Sequence, residues 1–370
     1  MKKIGFILNP VAGMGGRVGL KGSDGADTIE RARALGAKPE SAAKAKRALQ
    51  VLAQRKDGLL VLCPPGGMGE DAARACGLHV QVLGEAKDET TAEDTKQAAR
   101  RFAAEGAEII LFTGGDGTAR DILDAVGADI PVIGVPAGCK IYSGVYAVKP
   151  EKAGRLALDF LDGKVRLIEA EVLDIDEESF RRGDPIFSLY GSLRVPHDSN
   201  LRQNLKIVKP ADEDVTVQGL SRELASGLER DTLYLVGSGS TTSVLMEVLG
   251  QKNTLLGVDA LYNGEVIAND LSEDDILALL DEYASVKLIV TVIGGQGYLF
   301  GRGNQQLSAR VLRRIGKENI TVIAARSKME AIKTHRLYVD TGDETVNRGL
   351  LGPYKVWVGP NEHMVFTAES

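Results

Sequence analysis

Short apolar runs alternate with helical patterns along the first half of the chain. The apolar runs predict strands at residues 3–8, 59–63, 79–83, 108–112 and 130–135. Helices are predicted between them, at residues 38–54, 69–76, 91–104 and 118–126. Parallel strands are joined by right-handed crossovers that contain helices, so this alternation predicts a parallel, doubly wound sheet.

The pattern changes after a predicted helix at residues 150–161. Longer runs with mixed patterns predict strands at residues 165–176 and 186–195, and residues 195–210 are polar and typical of a loop. Strands are predicted again at residues 232–236, 254–260, 288–293 and 320–324, with helices at 240–249 and 273–284. Tyr262-Asn263-Gly264-Glu265 predicts a hairpin turn. The second half is therefore predicted to be mixed α/β.

The length of the chain indicates that these elements form two domains. With 370 residues, the chain exceeds the ~250–300 residues at which a single hydrophobic core stops growing. We place the boundary near Asp162-Gly163, so that residues 1–163 form an N-terminal domain and residues 164–370 form a second domain. Because no long linker separates the halves, we expect them to share an interface, with an active site in the cleft between them.

Composition and charge narrow the kind of ligand that the protein binds. The net charge of −6 argues against a protein that binds nucleic acid or an anionic membrane, because either would need a basic surface. A phosphate site must then be built locally, from glycine amides, helix N-termini or a bound metal ion. The three cysteines lack CxxC spacing, which is typical of a reducing cytoplasm. No apolar run approaches the ~20 residues of a membrane span and no signal peptide precedes the first strand, so we expect a cytoplasmic protein.

The strongest chemical signal is the segment from Leu111 to Thr118 (LFTGGDGT). An apolar strand leads into a glycine-rich turn, and the turn leads into a predicted helix that Thr118 can cap. The three glycines permit positive φ and let backbone amides approach a ligand closely. The first N–H groups of a helix attract an anion, and ligands of open α/β sheets bind beyond the carboxyl ends of the strands. The segment therefore indicates a phosphate-binding loop.

Asp116 lies inside this loop. A carboxylate repels a phosphate unless it binds Mg²⁺ or removes a proton from an attacking hydroxyl group. Asp116 is therefore a candidate catalytic residue for phosphoryl transfer. The alternative is a tight turn in which the Asp116 side chain caps its own backbone.

Three motifs in the first 150 residues together resemble a superfamily of kinases. Residues 114–118 (GGDGT) look like the signature shared by NAD kinases, diacylglycerol kinases and, more loosely, phosphofructokinases. Residues 9–13 (NPVAG) are similar to the first nucleotide-loop motif of that superfamily, and residues 134–138 (GVPAG) lie where it carries a third motif. The continuation Ala119-Arg120-Asp121 and the chain length most resemble the long ATP-NAD kinase-like branch, which includes acetoin-catabolism X-type proteins.

This resemblance implies roles for residues of the N-terminal domain. Asp116 is expected to be the general base that activates the adenosine-ribose 2′-hydroxyl of NAD for attack on the γ-phosphate of ATP. Nucleotide or phosphate contacts are expected at the other motif positions, which are Asn9, Pro10, Gly13, Gly114, Gly115, Gly117, Thr118, Pro136 and Gly138. The resemblance also implies Mg²⁺, ATP or polyphosphate as the donor, and assembly into a homo-oligomer.

Three cations near these motifs are further candidates for phosphate binding. Residues 9–25 hold six glycines together with Arg17 and Lys21, which suits a mobile loop that closes over a nucleotide. A flexible surface loop is the alternative. Lys140 follows two small residues beside the proposed site and can neutralise a phosphate, whereas its alternative is a solvated lysine at a helix start.

The chain differs from these families at positions that are expected to determine which phosphate acceptor binds. Diacylglycerol kinases carry an Asn-Asp pair after the third motif, whereas this chain has Ala137-Gly138-Cys139-Lys140, which argues against a lipid substrate. Ordinary NAD kinases carry an Asn-Glu pair, for which we find no equivalent, and a Thr-Pro-Thr-Gly-Ser-Thr-Ala-Tyr stretch that residues 237–242 (GSGSTT) resemble loosely. A kinase for a sugar, polyol or nucleoside therefore stays open, as does a non-catalytic accessory protein that binds NAD or a nucleotide.

Two glycine-rich segments of the second domain are candidate acceptor-binding loops. Residues 237–242 join a strand to a helix and offer hydroxyls and amides to a phosphate or ribose, unless they only cap the helix. Residues 293–306 offer amides that contact nucleobase or ribose edges and Arg302 for a phosphate, unless they form an exposed loop with Arg302 in solvent. The candidate acceptor-binding residues are Gly239, Ser240, Thr241, Gly294, Gly295, Gln296, Arg302, Asn304 and Gln305.

Overall fold

The structure of the protein is a computed structural model that describes residues 1–16, 18, 20, 26–37, 39–87, 89–138, 141–175, 187–197, 213–293, 297–332 and 334–370. The chain divides into two compact units. The first comprises Met1–Met14 with Gly22–Leu205, and the second comprises Gly15–Lys21 with Lys206–Ser370. Six candidate site residues lie outside the described residues, namely Arg17, Lys21, Lys140, Gly294, Gly295 and Gln296.

The first unit contains a five-stranded sheet with the order β3-β2-β1-β4-β5, in which all neighbouring strands are parallel. Its strands are β1 (Lys2–Leu8), β2 (Leu59–Cys63), β3 (Val80–Val82), β4 (Ile109–Gly114) and β5 (Val132–Pro136). The helices described in this unit are α1 (Ala26–Ala34), α2 (Ser41–Ala53), α3 (Glu70–Ala75), α4 (Ala92–Ala104), α5 (Asp116–Val126) and α6 (Pro150–Leu161). The chain winds outward from β1 in both directions, which confirms the predicted doubly wound sheet.

Apolar residues on both faces of this sheet place it in the centre of the first unit. One face packs against α2, α3 and α6, which contribute Leu49, Ala73 and Leu156 to a buried cluster. The other face packs against α4 and α5 through Phe102 and Ile122. Helices on both faces explain why these strands read as continuous apolar runs in the sequence.

A two-stranded antiparallel hairpin, β6 (Arg166–Ile175) with β7 (Phe187–His197), also belongs to the first unit. Its apolar side joins the buried cluster on the α5 face of the sheet. The Arg194 side chain donates hydrogen bonds to the carbonyls of Ala128 and Asp129, which follow α5. These contacts explain why the hairpin lies with the first unit, although the predicted domain boundary precedes it. The boundary itself stays a prediction.

The second unit contains a nine-stranded mixed sheet with the order β10-β9-β8-β11-β13-β15-β16-β14-β12. Its strands are β8 (Leu233–Val236), β9 (Asp259–Tyr262), β10 (Glu265–Ala268), β11 (Val286–Thr291), β12 (Tyr298–Phe300), β13 (Ile320–Ile323), β14 (Arg336–Val339), β15 (Gly352–Gly359) and β16 (Glu362–Glu369). Its described helices are α7 (Glu213–Ser226), α8 (Ser240–Val248), α9 (Glu273–Glu282), α10 (Ala309–Ile315), α11 (Arg326–Glu330) and α12 (Glu344–Gly349). Strands β8, β11, β13 and β15 are parallel, whereas β9 and β16 are antiparallel to β8 and β15. The predicted mixed α/β character is confirmed.

One predicted strand of the second unit begins later than expected. The sequence predicts a strand at residues 254–260, but β9 begins at Asp259. The buried Asp259 carboxylate accepts hydrogen bonds from the Thr254 backbone N–H (2.7 Å) and hydroxyl group (2.6 Å), which holds residues 254–258 in a loop. The predicted hairpin turn after β9 is confirmed, because Asn263 and Gly264 have φ values of 52° and 83°.

Candidate active site

The direction of winding in the first sheet changes between β1 and β4. Ligands of open α/β sheets bind at such a switch point, outside the carboxyl ends of the strands. There β1 ends at Leu8 and β4 ends at Gly114, and the Asn9 backbone N–H donates to the Thr113 carbonyl (2.9 Å). The NPVAG and GGDGT motifs therefore lie side by side at the switch point.

The turn from β4 into α5 consists of Gly115 alone, and α5 begins at Asp116. Because Gly115 has no side chain, no side-chain cap covers the N-terminus of α5. Thr118 is the third residue of the helix, so the prediction that it caps the helix is wrong. Its hydroxyl oxygen instead accepts a hydrogen bond from the Asn9 side-chain amide (3.1 Å). The first and second motifs are thus joined by a side-chain contact.

The glycines of this turn provide space and not unusual backbone angles. None of Gly114, Gly115 and Gly117 has φ in the left-handed region, so the positive φ that glycine permits is not used here. A Cβ atom on Gly114 would lie 2.3 Å from the Thr118 hydroxyl oxygen, and one on Gly115 would lie 3.3 Å from the Gly138 Cα. Gly114 therefore lets the first turn of α5 pack directly on the end of β4.

The first and third motifs also contact each other beside this turn. Gly13 has a φ of 79°, and a Cβ atom there would lie 2.1 Å from the Ala137 carbonyl oxygen. The backbone N–H groups of Ala137 and Gly138, which follow β5 at Pro136, both donate to the Gly114 carbonyl (3.0 and 3.1 Å). Three motifs that are far apart in the sequence therefore meet at one point of the first unit.

The Asp116 side chain is half-buried at the first position of α5. Its Oδ2 accepts a hydrogen bond from the Tyr142 backbone N–H (2.8 Å), and its Oδ1 accepts one from the Ser143 backbone N–H (3.1 Å). Burial and the neighbouring Asp116 carboxylate raise the pKa of the Tyr142 phenol. Sequence reasoning missed both donors because they are backbone N–H groups. Every residue except proline has such a group, so the residue type gives no signal. The carboxylate therefore contacts a distant segment and not only its own turn.

Two loops of the second unit that are predicted to bind the acceptor lie next to each other. The Ser238 hydroxyl group donates to the Gly303 carbonyl (2.9 Å), which joins the loop before α8 to the loop after β12. Gly239 precedes α8 with a φ of 139°, and Ser240 and Thr241 are the first two residues of that helix. The carboxyl end of β8 therefore carries a glycine–hydroxyl turn, as the sequence predicts.

The polar side chains of the loop after β12 are buried. Arg302, Asn304 and Gln305 are 5%, 3% and 9% exposed, so the alternative of an exposed loop with Arg302 in solvent is wrong. The Asn304 side-chain N–H donates to the Leu299 carbonyl (2.9 Å), and its oxygen accepts from the Gly301 backbone N–H (3.2 Å). The Asn304 amide therefore stabilises its own loop, and a contact of these side chains with the acceptor stays a prediction.

Two cationic side chains accompany these loops. The Arg302 guanidinium lies over the Tyr298 ring, 5.5 Å from its centroid. The Lys328 Nζ lies 3.5 Å from the Thr291 hydroxyl oxygen at the end of β11, and a Cβ atom on Gly239 would lie 2.4 Å from the Thr291 methyl group. Sequence analysis missed Lys328, which lies on α11 without a glycine motif around it.

Among the residues that the structure describes, no group of three or more His, Cys, Asp or Glu side chains is arranged to hold a metal ion. Mg²⁺ commonly binds one or two carboxylates together with substrate phosphates, so Asp116 suits such a site when ATP supplies the other oxygens. None of the described helices is both long enough and apolar enough to span a bilayer.

Two solved structures show weak similarity to the chain. The branched-chain amino acid transporter substrate-binding protein LivJ from Streptococcus pneumoniae, in complex with isoleucine, is 8% identical, with 90% of this chain and 67% of that chain covered and a TM-score of 0.27. The lac repressor dimer bound to operator and the anti-inducer ONPF is 12% identical, with 88% and 80% covered and a TM-score of 0.24. Neither similarity is close enough to inform the fold or the function.

No curated protein matches the chain, but two protein-family models do. Residues 4–165 match the family model of the ATP-NAD kinase N-terminal domain, and residues 231–367 match that of the ATP-NAD kinase C-terminal domain. The first match contains all three motifs that meet at the switch point, and the second contains both loops joined by the Ser238–Gly303 hydrogen bond. The chain therefore belongs to the ATP-NAD kinase family.

Proposed function

We propose that this protein transfers the γ-phosphate of ATP to the adenosine-ribose 2′-hydroxyl of NAD and so produces NADP. Membership of the ATP-NAD kinase family supports a phosphotransferase that acts on an NAD-like substrate. The observation that carries the proposal is the Asp116 carboxylate, which lies in the first turn of α5 where the three motifs meet. A carboxylate repels bound phosphate, and a role in proton removal or Mg²⁺ binding accounts for its presence there.

In the proposed reaction, Asp116 accepts the proton of the 2′-hydroxyl group. The hydroxyl oxygen forms a bond to the γ-phosphorus, and the bond from this phosphorus to the β,γ-bridging oxygen breaks, which releases ADP. A carboxylate oxygen has two lone-pair directions, so accepting a backbone hydrogen bond from Tyr142 or Ser143 does not by itself prevent it from accepting a proton. Asp116 can therefore be held by the backbone and still accept a proton.

We propose that the ATP phosphates bind the backbone amides from Gly114 to Thr118, and that Mg²⁺ arrives with ATP. The N-terminus of α5 favours negative charge, and Mg²⁺ neutralises charge that develops on the phosphoryl oxygens. Arg17, Lys140 and Arg302 stay candidates to offset the remaining charge. Polyphosphate is the alternative donor.

We propose that the second unit holds most of the acceptor, through the loop before α8 and the loop after β12. The hydrogen bond between Ser238 and Gly303 supports this assignment, because it places hydroxyl groups and amides of both loops side by side. Lys328 and the Thr291 hydroxyl group add a cation and a polar group next to Gly239. These groups suit an acceptor that carries hydroxyls and phosphates.

The acceptor is identified by incubating the purified protein with ATP and Mg²⁺ and, separately, NAD, NADH, a hexose, a polyol or a nucleoside. Mass spectrometry detects phosphorylated products, and an NADP-specific dehydrogenase measures NADP. We expect NADP from NAD. A phosphorylated sugar, polyol or nucleoside without NADP would show a kinase with another acceptor, and NAD binding in calorimetry without ATP consumption would show an accessory protein. Parallel reactions with polyphosphate instead of ATP identify the donor.

Family resemblance also supports a homo-oligomer as part of this proposal, and the cysteine pattern supports a cytoplasmic protein. Size-exclusion chromatography with light scattering measures the molar mass in solution, which we expect to be a multiple of the mass of one chain. A molar mass equal to that of one chain across the concentrations used for activity would contradict this part of the proposal.

A further inference from the structure

Two donors to the Asp116 carboxylate belong to one short segment, residues 141–147, which lies between β5 and α6. Tyr142 and Ser143 are consecutive, and their backbone N–H groups contact different oxygens of the carboxylate, at 2.8 and 3.1 Å. Two donors on two oxygens fix both the position of the carboxylate and its rotation about the last side-chain bond. The orientation of Asp116 therefore depends on where this segment is held.

The segment is held by hydrogen bonds to three neighbours. Towards β5, the Gly134 N–H donates to the Val145 carbonyl (2.9 Å), and the Ala147 N–H donates to the Gly134 carbonyl (3.0 Å). Towards the hairpin, the Gly144 N–H donates to the Glu171 carbonyl on β6 (2.8 Å). The third neighbour is the turn before α5, which the Tyr146 side chain of the segment contacts through a hydrogen bond. The segment is therefore fixed between the sheet, the hairpin and the turn.

Two side chains make this arrangement specific. Ser143 is fully buried, and its hydroxyl oxygen accepts a hydrogen bond from the Leu173 N–H on β6 (3.0 Å). Ser143 thus contacts Asp116 through its backbone and the hairpin through its side chain. Tyr146 is also fully buried, and its phenol donates to the Gly115 carbonyl (2.6 Å), one residue before Asp116. One side chain holds the donor segment, and the other holds the turn that carries the carboxylate.

We propose that Ser143 and Tyr146 are positioning residues that set the orientation of the Asp116 carboxylate, and that the β6–β7 hairpin supports the active site through Ser143. The proposal rests on the phosphoryl-transfer function proposed above for Asp116. Neither side chain touches the reacting atoms, so their loss acts through the carboxylate. A misplaced general base slows proton removal in the transition state and leaves the binding of ground-state substrates largely intact.

The test uses Ser143→Ala and Tyr146→Phe, each of which removes one hydroxyl group. We expect kcat to fall about tenfold to 100-fold. The KM values for NAD and ATP are expected to change by less than about twofold, because the loss is confined to the transition state. In an Asp116→Asn background, neither change is expected to lower kcat further, because residues that act as a unit are not additive.

Matched controls come from the second unit. Ser221 is a fully buried serine on α7, and Tyr354 is a buried tyrosine on β15; neither hydroxyl group has a hydrogen-bond partner among the described residues. Ser221→Ala and Tyr354→Phe remove the same atoms from buried positions without a hydrogen bond to the described residues, and we expect both to keep the wild-type kcat. A fall in kcat of the same size in the controls would overturn the proposal, because it would show a general effect of losing a buried hydroxyl group.

Amide hydrogen exchange gives a readout that does not depend on catalysis. In Ser143→Ala we expect faster exchange at the backbone N–H groups of Tyr142, Ser143 and Leu173, with no such change in Ser221→Ala. Faster exchange in a protein that makes no NADP would support the positioning of Asp116 and contradict the proposed substrate. Wild-type kcat and wild-type exchange in Ser143→Ala, together with wild-type kcat in Tyr146→Phe, would overturn the positioning proposal even if the wild-type protein produces NADP. If Ser143→Ala proves unstable, a wild-type kcat in Tyr146→Phe overturns the proposal on its own.

Discussion

The turn after β4 and the loop after β12 have the same sequence pattern, but their polar side chains make different contacts. Both follow a buried strand, and both are rich in glycine. In the first unit the polar side chain, Asp116, is half-buried and is held by backbone N–H groups of a distant segment. In the second unit Asn304 is buried and uses its amide to hold its own loop. A glycine-rich segment after a strand therefore indicates close packing, and the accessibility of its polar side chain decides whether it can perform chemistry.

The largest expected effect belongs to Asp116→Asn, which removes the proposed base and keeps the shape of the side chain. We expect kcat to fall about 10²–10⁴-fold, as for loss of a positioned general base. We expect NAD and ATP to bind as in the wild type, which calorimetry measures. Turnover close to that of the wild type would rule out Asp116 as the base and would remove the difference between the two loops.

Gly13→Ala tests whether the close packing between the first and third motifs contributes to stability and activity. Gly36 is a matched control, because both glycines have a φ of 79°, but only at Gly13 would a Cβ atom collide with backbone, at 2.1 Å from the Ala137 carbonyl oxygen. Both alanine variants carry the strain of left-handed backbone, and Gly13→Ala adds overpacking of about 1–3 kcal/mol. Urea unfolding and kcat/KM measure the two consequences, stability and activity. Equal losses in the two variants would show that the contact between the first and third motifs is unimportant.

Asn304→Ala tests the role of the polar side chain in the loop after β12. The change leaves the Leu299 carbonyl and the Gly301 N–H without the side chain that they contact, which costs about 1–3 kcal/mol for a buried polar group. We expect the free energy of unfolding to fall by this amount and KM for NAD to rise less strongly. Unchanged stability with a large rise in KM would mean that the Asn304 amide binds the acceptor, as the sequence predicts, and that the two loops are alike.

The parts of the fold that sequence predicts well are those with a local signal. The strand at residues 59–63 and the helix at residues 150–161 begin and end as predicted. The strand is continuously apolar, and Pro150 fixes the first turn of the helix. The pair β15–β16 is absent from the prediction, although Tyr354, Val356 and Val358 alternate with less buried positions. That alternation is typical of a half-buried antiparallel strand, so the signal was present but differed from the continuous apolar runs used elsewhere.

The candidate site likewise has parts that the sequence predicts and parts that it does not. The strand–turn–helix setting of Asp116 could be predicted, because a buried strand, glycines and a helical pattern follow one another within a few residues. Its hydrogen-bond donors could not, because Tyr142 and Ser143 are 26 and 27 residues away and contribute backbone groups. The same holds for Lys328, whose proximity to Thr291 depends on the pairing of β11 with β13 and not on any motif. Side-chain chemistry is local in sequence, whereas the contacts that orient it are set by the topology of the sheet.

The smallest expected effect compares two carboxylates, one in each unit, whose pKa is lowered for different reasons. The Lys96 ammonium, 2.6 Å away, and then the Tyr190 hydroxyl group hold the pKa of Asp124 below its usual value of 3.8. The backbone N–H groups of Val346 and, to a lesser extent, Thr345 lower the pKa of Asp343 at the N-terminus of α12. A lowered folded-state pKa stabilises the protein above the unfolded-state pKa, and this contribution is lost as the pH falls through the folded-state pKa.

Asp124→Asn and Asp343→Asn separate these two causes. Asp124→Asn loses the attraction to Lys96, which is the main cause of its lowered pKa. Asp343→Asn also loses an ion pair, with Arg313 (2.7 Å), but the backbone N–H groups dominate at this site and asparagine still caps the helix. We therefore expect Asp124→Asn to lower the melting temperature at neutral pH by more than Asp343→Asn does, with both shifts small because the pairs are exposed. As the pH falls through the lowered pKa of Asp124, this carboxylate becomes protonated in the folded chain as well, so the difference between Asp124→Asn and the wild type should shrink. Melting curves recorded from neutral pH into acid measure this convergence, and a constant difference at every pH would mean that Asp124 acts through packing and not through its charge.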